Sequence, residues 1–242
     1  MIGENFLEEN LPRIFDCNMW PGGEAKTGYE PGLRVYSANP DAQCASLQHT
    51  PHSARAEPLP YYAYNFAPLM EIEHTIDFFI RHRAAAVRLF PKKMNYSLAG
   101  TETEAILCAL EERRLPLMVW HTETTWAEID AVCGRHPGLP VIIDGSDKKL
   151  LYHNRVYIPL LLKHPNLYLE TYNFIQYMGY EALVNKYKID RLVFGTNYPA
   201  NSPLAPLYML LSADIPETAK EKILNGNMKN LVSGIKLDID AP

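Results

Sequence analysis

The stretch LMVWHTETTWAEIDAVCGRHPGLPVIID, Leu117 to Asp144, carries the fold in miniature. It starts on four apolar residues, Leu117–Trp120, and stops at His121. Thr125 and Glu128 then stand at the spacing of a capping box. Ile129, Val132 and Cys133 follow at i, i+3 and i+4, one apolar face of a helix. His136-Pro137 ends the pattern, because proline biases the residue before it away from the helical region. Val141–Ile143 is a second apolar run, and Asp144 is its polar end. Uniformly apolar strands on either side of a helix read as parallel strands buried on both faces and joined by a crossover.

The same unit recurs in both directions. Tyr61–Phe66, Ala86–Phe90, Leu167–Leu169 and Leu192–Phe194 are further strand candidates. Ile72, Ile76, Phe79 and Ile80 mark one apolar helix face. Thr101 with Glu104 reads as a capping box ahead of AILCALEERR. Tyr157–Lys163 is a helix weakened by Pro159 and stopped at His164-Pro165. Asp214 with Glu217 opens a last helix through Ile223, Leu224, Met228 and Leu231. Ile14–Met19 and the weaker Leu33–Tyr36 raise the strand count to eight. This predicts an α/β fold, a (β/α)8 TIM barrel slightly short or distorted in its first βα units. About 250 residues is typical of that barrel, and the 242 here read as a single domain. Pro21 to Pro60, rich in Pro, Gly, Ser and Ala, reads as loops with one poor βα unit.

Composition narrows the function classes. The chain is 47% hydrophobic and 21% charged, ordinary for a protein with a full core. A net charge of -5 gives no nucleic-acid footprint. No apolar run reaches the ~20 residues of a membrane helix. The acidic start, MIGENFLEEN, is neither a secretory signal nor a transit peptide, so a cytoplasmic location is expected. Cys17, Cys44, Cys108 and Cys133 make no CxxC pair, which argues against a cysteine zinc site. Cys108 and Cys133 lie within helical patterns and read as core.

In a barrel the chemistry sits at the C-terminal ends of the strands. Those ends carry Asp16, Asn18 and Trp20, then Asn65, Arg88, His121 and Glu123, Asp144 and Asp147, Glu170 and Tyr172, and Asn197.

The order AVRLFP, RRLPLMVWHTE, GRHPGLPVIIDG, KHPNLYLET, DRLVFGTNYP and EKILNGNMKNLV resembles the amidohydrolase-related proteins of the amidohydrolase superfamily, a group that includes aminocarboxymuconate-semialdehyde-decarboxylase-like enzymes. The likeness is good over Ala86 to Val232 and weaker over Ile14–Gly22. It implies a barrel that usually holds a divalent metal, often zinc. The family's ligands are a His-x-His pair after the first strand, a histidine after the fifth, often one after the sixth, and an aspartate after the eighth. On these positions the chain has Asn18 and Trp20, His121, Asp144, and Asn197. An amide is a poor zinc ligand, and an indole offers only a donor. The resemblance therefore implies a degenerate metal site and no bound cofactor. The exception is a zinc site rebuilt from His121 and Asp144 with Glu123 or Cys17.

The expected function follows from these residues. The expected substrate is a small carboxylated metabolite, and the expected reaction is hydrolase- or decarboxylase-like. His121 and Asp144 supply metal-independent acid–base chemistry, as the superfamily's metal-free lactone hydrolysis shows to be feasible. Asn18, Trp20, Arg88, Glu123, Tyr172 and Asn197 hold the substrate, Arg88 as a bidentate clamp on a carboxylate if it points inward. The alternatives are a non-catalytic small-molecule binder or scaffold, and a metal-dependent hydrolase with a rearranged site. The partner is a small molecule, and the chain is read as a homodimer. His49 and His52 are read as solvated; His74, His82, His136, His153 and His164 are given no role.

Overall fold

Eight strands form in the order in which the sequence supplies them. They are β1 (Phe15–Met19), β2 (Leu33–Ser37), β3 (Tyr61–Asn65), β4 (Ala84–Leu89), β5 (Leu117–Trp120), β6 (Val141–Asp144), β7 (Leu167–Glu170) and β8 (Leu192–Val193). Each pairs in parallel with the next, from β1 to β8. The computed structural model describes residues 11–19, 33–37, 61–65, 72–82, 84–145, 150 and 153–237, with backbone alone for 33–37 and 61–65. Trp20, Cys44, His49, His52 and Asp147 lie outside the described residues, as does most of the segment Pro21 to Pro60 that the sequence reading took for loops.

The two outer strands meet. Cys17 N donates to Phe194 O at 2.9 Å, and Asn197 N donates to Asn18 O at 2.8 Å. Met19 bridges Tyr198 in parallel. The residues just past β8 thus bond along β1, closing the circle of a TIM barrel. Asn197 makes its bond from a left-handed conformation, φ 55°, which asparagine tolerates better than most residues.

Helices fill the gaps as the apolar periodicity predicts, Ile72–Arg81, Thr101–Arg113, Trp126–Arg135 and Asn154–Lys163, and a further one, Leu204–Leu211, forms where none was read. The capping box at Thr125 and Glu128 is present in full. The one read at Thr101 and Glu104 is not: Gly100 is the N-cap and gives no side-chain bond. Glu104 turns instead towards Arg135. Pro216, not Asp214, caps the helix Glu217–Glu221. Pro159 sits inside Asn154–Lys163 without ending it; it is exposed, so the helix loses one bond on its wet side. Among the described residues no helix is long and apolar enough to cross a membrane.

Strand alternation sorts the core into two layers. Val87 and Leu89, Leu117 and Val119, Val141 and Ile143, and Leu167 and Leu169 pack with Ile106, Leu110, Ile129 and Val132 of the helices. Their alternate neighbours Ala86, Met118 and Ile142 join Phe15, Cys17 and Val193 in a smaller cluster, the filling of the barrel. Two residues further along the inward-facing rows stand Arg88 and Asp144. Cys133 is buried as expected. Cys108 is exposed, because the buried stripe of its helix runs through Thr103, Ile106, Leu107 and Leu110.

Candidate active site at the barrel mouth

A charged layer caps the apolar filling. Arg88 of β4 and Asp144 of β6 are both 0% exposed, and Arg88 Nη1 lies 2.5 Å from Asp144 Oδ2. Arg88 Nη2 also reaches Asn18 Oδ1 of β1 at 3.4 Å. Strands β1 and β4 are not neighbours, so this contact crosses the barrel interior. Arg88 therefore points inward. Its fork is engaged by the protein's own carboxylate, where the sequence reading gave it to a substrate.

Glu170, at the end of β7, completes the layer. Asn18 Nδ2 donates to its Oε2 at 3.4 Å, and the Tyr172 amide donates to its Oε1 at 2.6 Å. Burial pushes the Glu170 carboxyl well above the usual range. Asp144 and Asp16 push it further, against the Tyr172 amide and Arg88, which pull it down. Gly195 is what lets it fit: a Cβ there would stand 2.2 Å from Glu170 Oε1 and 2.9 Å from Asn18 Cβ. The sequence reading placed Glu170 at a strand end but gave it no role. Its standing at the same inward offset as Asp144 was the available signal.

Asp16 is a latch. Its Oδ2 accepts from Thr196 Oγ1 at 2.6 Å, and its Oδ1 accepts from the amides of Thr196 and Asn18. It ties β1 to the turn after β8. Glu123 faces away from this layer: its Oε2 accepts from the Lys93 amide at 2.8 Å. Tyr172 is buried and meets the layer through its amide. Asn197 is buried and holds β1 through its own amide.

His121 is 6% exposed and stands just past β5. Its Nδ1 lies 3.3 Å from the backbone oxygen of Asp144. A carbonyl only accepts, so Nδ1 carries the proton and, in the neutral ring, Nε2 holds the lone pair. His121 thus meets Asp144 through the backbone, while the Asp144 carboxylate is held by Arg88. An aromatic cluster flanks the imidazole. The His153 ring stands 5.3 Å from it edge-on, and Trp126 6.3 Å away. Trp126 Nε1 donates to His153 Nδ1 at 3.1 Å, so His153 presents its proton on Nε2. His153 was given no role from sequence, and LLYHNR offers no pattern that would single it out.

A family model described as Amidohydrolase matches residues 56–231. The chain belongs to the amidohydrolase family. Three solved structures resemble this chain in fold. An uncharacterised TIM-barrel protein, Bb4693 from Bordetella bronchiseptica, is 22% identical at a TM-score of 0.62, over 72% of this chain and 66% of its own. 2,6-Dihydroxybenzoate decarboxylase from Rhizobium is 12% identical at 0.61, over 83% of this chain and 84% of its own. A probable 2-pyrone-4,6-dicarboxylic acid hydrolase from Acinetobacter baumannii, with citric acid bound, is 11% identical at 0.62, over 91% and 99%. The chain spans 66% of the length of the first. No curated protein matches it.

The family's divalent metal can be tested against the donors present. The Asn18 oxygen faces a guanidinium. Asp144 is paired with that same cation. A fixed positive charge stands among the donors a dication would need, and this set does not fit one.

Proposed function

We propose that residues 1–242 form one amidohydrolase barrel that hydrolyses a small carboxylated ester or lactone without a metal at its mouth. The observation that carries this reading is the Arg88–Asp144 contact of 2.5 Å between two fully buried side chains. It places a permanent cation, covalently fixed, in the layer where the family keeps its metal. With the Asp144 carboxylate committed, the acid–base work passes to His121. His121 Nε2 takes a proton from water as the oxygen adds to the substrate carbonyl, and His153 donates a hydrogen bond from its Nε2 to the developing oxyanion. As the intermediate collapses, the imidazolium of His121 gives its proton to the departing alkoxide, leaving a carboxylic acid, an alcohol and both imidazoles neutral. Two similar structures are named for carboxylated substrates, a dihydroxybenzoate and a pyrone dicarboxylate, which supports substrates of that class here.

The test is turnover of aromatic carboxylic esters, 2-pyrone-4,6-dicarboxylate and 2,6-dihydroxybenzoate, with and without chelator. Hydrolysis should survive the chelator and fall about 10²–10⁴-fold in His121→Ala. Activity that needs added zinc sinks the metal-free reading. Carbon dioxide release from the benzoate, with no hydrolysis of the other two, replaces it with a decarboxylase.

A second reading is a binder without turnover, favoured by the contacts that Arg88, Asp144, Asn18 and Glu170 make with one another. Under it, these carboxylates raise the melting temperature, no product forms, and His121→Ala weakens binding only.

A further inference from the structure

On the outside of the barrel, in the helix layer, two helices bring three metal-ligand types together. Glu104 and Cys108 are four residues apart on Thr101–Arg113, hence on one face. His136 is the C-cap of Trp126–Arg135. The donor atoms Glu104 carboxylate, Cys108 Sγ and a His136 ring nitrogen all lie within 4.8 Å of one another. We propose that they form a site for a borderline divalent cation, zinc above all, separate from the barrel mouth.

The state of His136 carries the argument. The residue is 2% exposed. Its Nδ1 lies 2.9 Å from Glu111 Oε2, and a carboxylate only accepts, so Nδ1 holds the proton. The lone pair of the neutral ring is then on Nε2. That buried atom makes no hydrogen bond and stands 3.4 Å from Glu104 Oε1. A histidine whose other nitrogen donates to a carboxylate is the usual ligand arrangement in zinc sites. Glu111 is itself fixed, since its Oε1 accepts from the Gly138 amide at 2.7 Å.

The distances suit the ion. Two N or O donors at ~2.1 Å from a tetrahedral zinc stand ~3.4 Å apart, and a sulfur stands ~3.6 Å from either. Glu104 Oε1 is 3.4 Å from His136 Nε2 and 4.0 Å from Cys108 Sγ, and the sulfur lies within 4.8 Å of the histidine nitrogen, so closure asks a movement of up to about an ångström from an exposed cysteine. Arg135 Nη1 holds the other carboxylate oxygen, Oε2, at 2.8 Å. That leaves Oε1 to bind in monodentate fashion. Thiolate and imidazole favour zinc, cobalt or nickel over magnesium or calcium. On binding, the Cys108 thiol releases its proton to solvent, and a fourth position stays open for water.

The experiment is a titration of chelator-treated full-length protein with cobalt(II), followed by displacement with zinc. One equivalent should bring up the near-ultraviolet thiolate-to-cobalt band. Cys108→Ser, at an exposed position that the fold tolerates, should remove the band and weaken zinc at least ~10-fold; Glu111→Gln should keep the band and weaken zinc roughly 10–100-fold. His121→Ala should change neither. Zinc should raise the melting temperature of the parent protein and leave that of Cys108→Ser unmoved. Absence of the band at one equivalent, or equal zinc affinity in parent and Cys108→Ser, overturns the proposal. Loss of the band in His121→Ala would put the metal at the barrel mouth and overturn it as well.

Discussion

Arg88–Asp144 and Lys163–Asp130 are the same kind of bond at nearly the same length, 2.5 and 2.6 Å, in opposite surroundings. The first is fully buried at the barrel mouth. The second lies in the helix layer, with its side chains 60% and 37% exposed. Water screens the outer pair and competes for both partners, so it adds little. The inner pair has given up all its hydration, and each charge depends on the other. Similar bonds thus carry unequal consequences. The fold concentrates its costly charges at the C-terminal ends of its strands, where a barrel does its chemistry.

The strongest way to break the comparison is Arg88→Ala. It strands Asp144 without its counter-charge, and should cost about 3–5 kcal/mol in urea denaturation. A loss below about 1 kcal/mol would mean the mouth is wetter than its burial implies. Replacing both partners, Arg88→Met with Asp144→Leu, should recover most of that loss, because a matched apolar pair removes the desolvation penalty together with the attraction. Gly195→Ala is next. Its new methyl meets the Glu170 carboxyl at 2.2 Å in a layer with no room to yield, and should cost ~1–3 kcal/mol. A well-folded Gly195→Ala with parental stability would show that the Glu170 side chain can swing away.

Much of this geometry was legible in the sequence, and what was not has a physical cause. Leu117–Trp120 was read at its observed bounds, because a strand buried on both faces is an unbroken apolar run between polar ends. Positions were legible in the site as well: Asn18, Arg88, His121, Asp144 and Glu170 all stand at strand ends. Pairings were not. Arg88 and Asp144 are 56 residues apart, and no local pattern says that a guanidinium on one strand will take the carboxylate two strands away. Cys108 was misjudged because being in a helical pattern does not say which face of the helix a residue occupies. Glu104 failed as a cap because the Arg135 guanidinium offered it a better partner than a backbone amide.

In the first turn of the helix Trp126–Arg135 stands Glu128, a carboxylate that is partly covered and fully bonded. Burial pushes its pKa up, but bonds from Ser97 Oγ, the Thr125 amide and hydroxyl, and Thr124 Oγ1 outweigh that and bring it down to about 2. A lowered carboxyl contributes its stability in full above the unfolded value and loses it as pH falls through the folded one. The contribution should therefore be intact above about pH 5 and fade towards pH 2. Glu128→Gln should cost ~0.5–2 kcal/mol at neutral pH and flatten the acid limb of stability against pH. An unchanged acid limb would mean the capping box carries none of the pH dependence.

The smallest effect belongs to the outer pair. Lys163→Ala should cost no more than about 1 kcal/mol, and less as salt is raised. Asp130 does not become solitary in that variant, because His164 Nε2 also reaches its Oδ1 at 2.5 Å. The bonds from Lys163 and His164 lower the Asp130 pKa, so whatever the pair supplies is present at neutral pH and lost as pH falls. A cost rivalling that of Arg88→Ala would mean that burial is not what separates the two bonds. Chemical denaturation of both variants in one buffer, at low and at high salt, decides it. The inner variant should hold its deficit when salt is added, while the outer one converges on the parent.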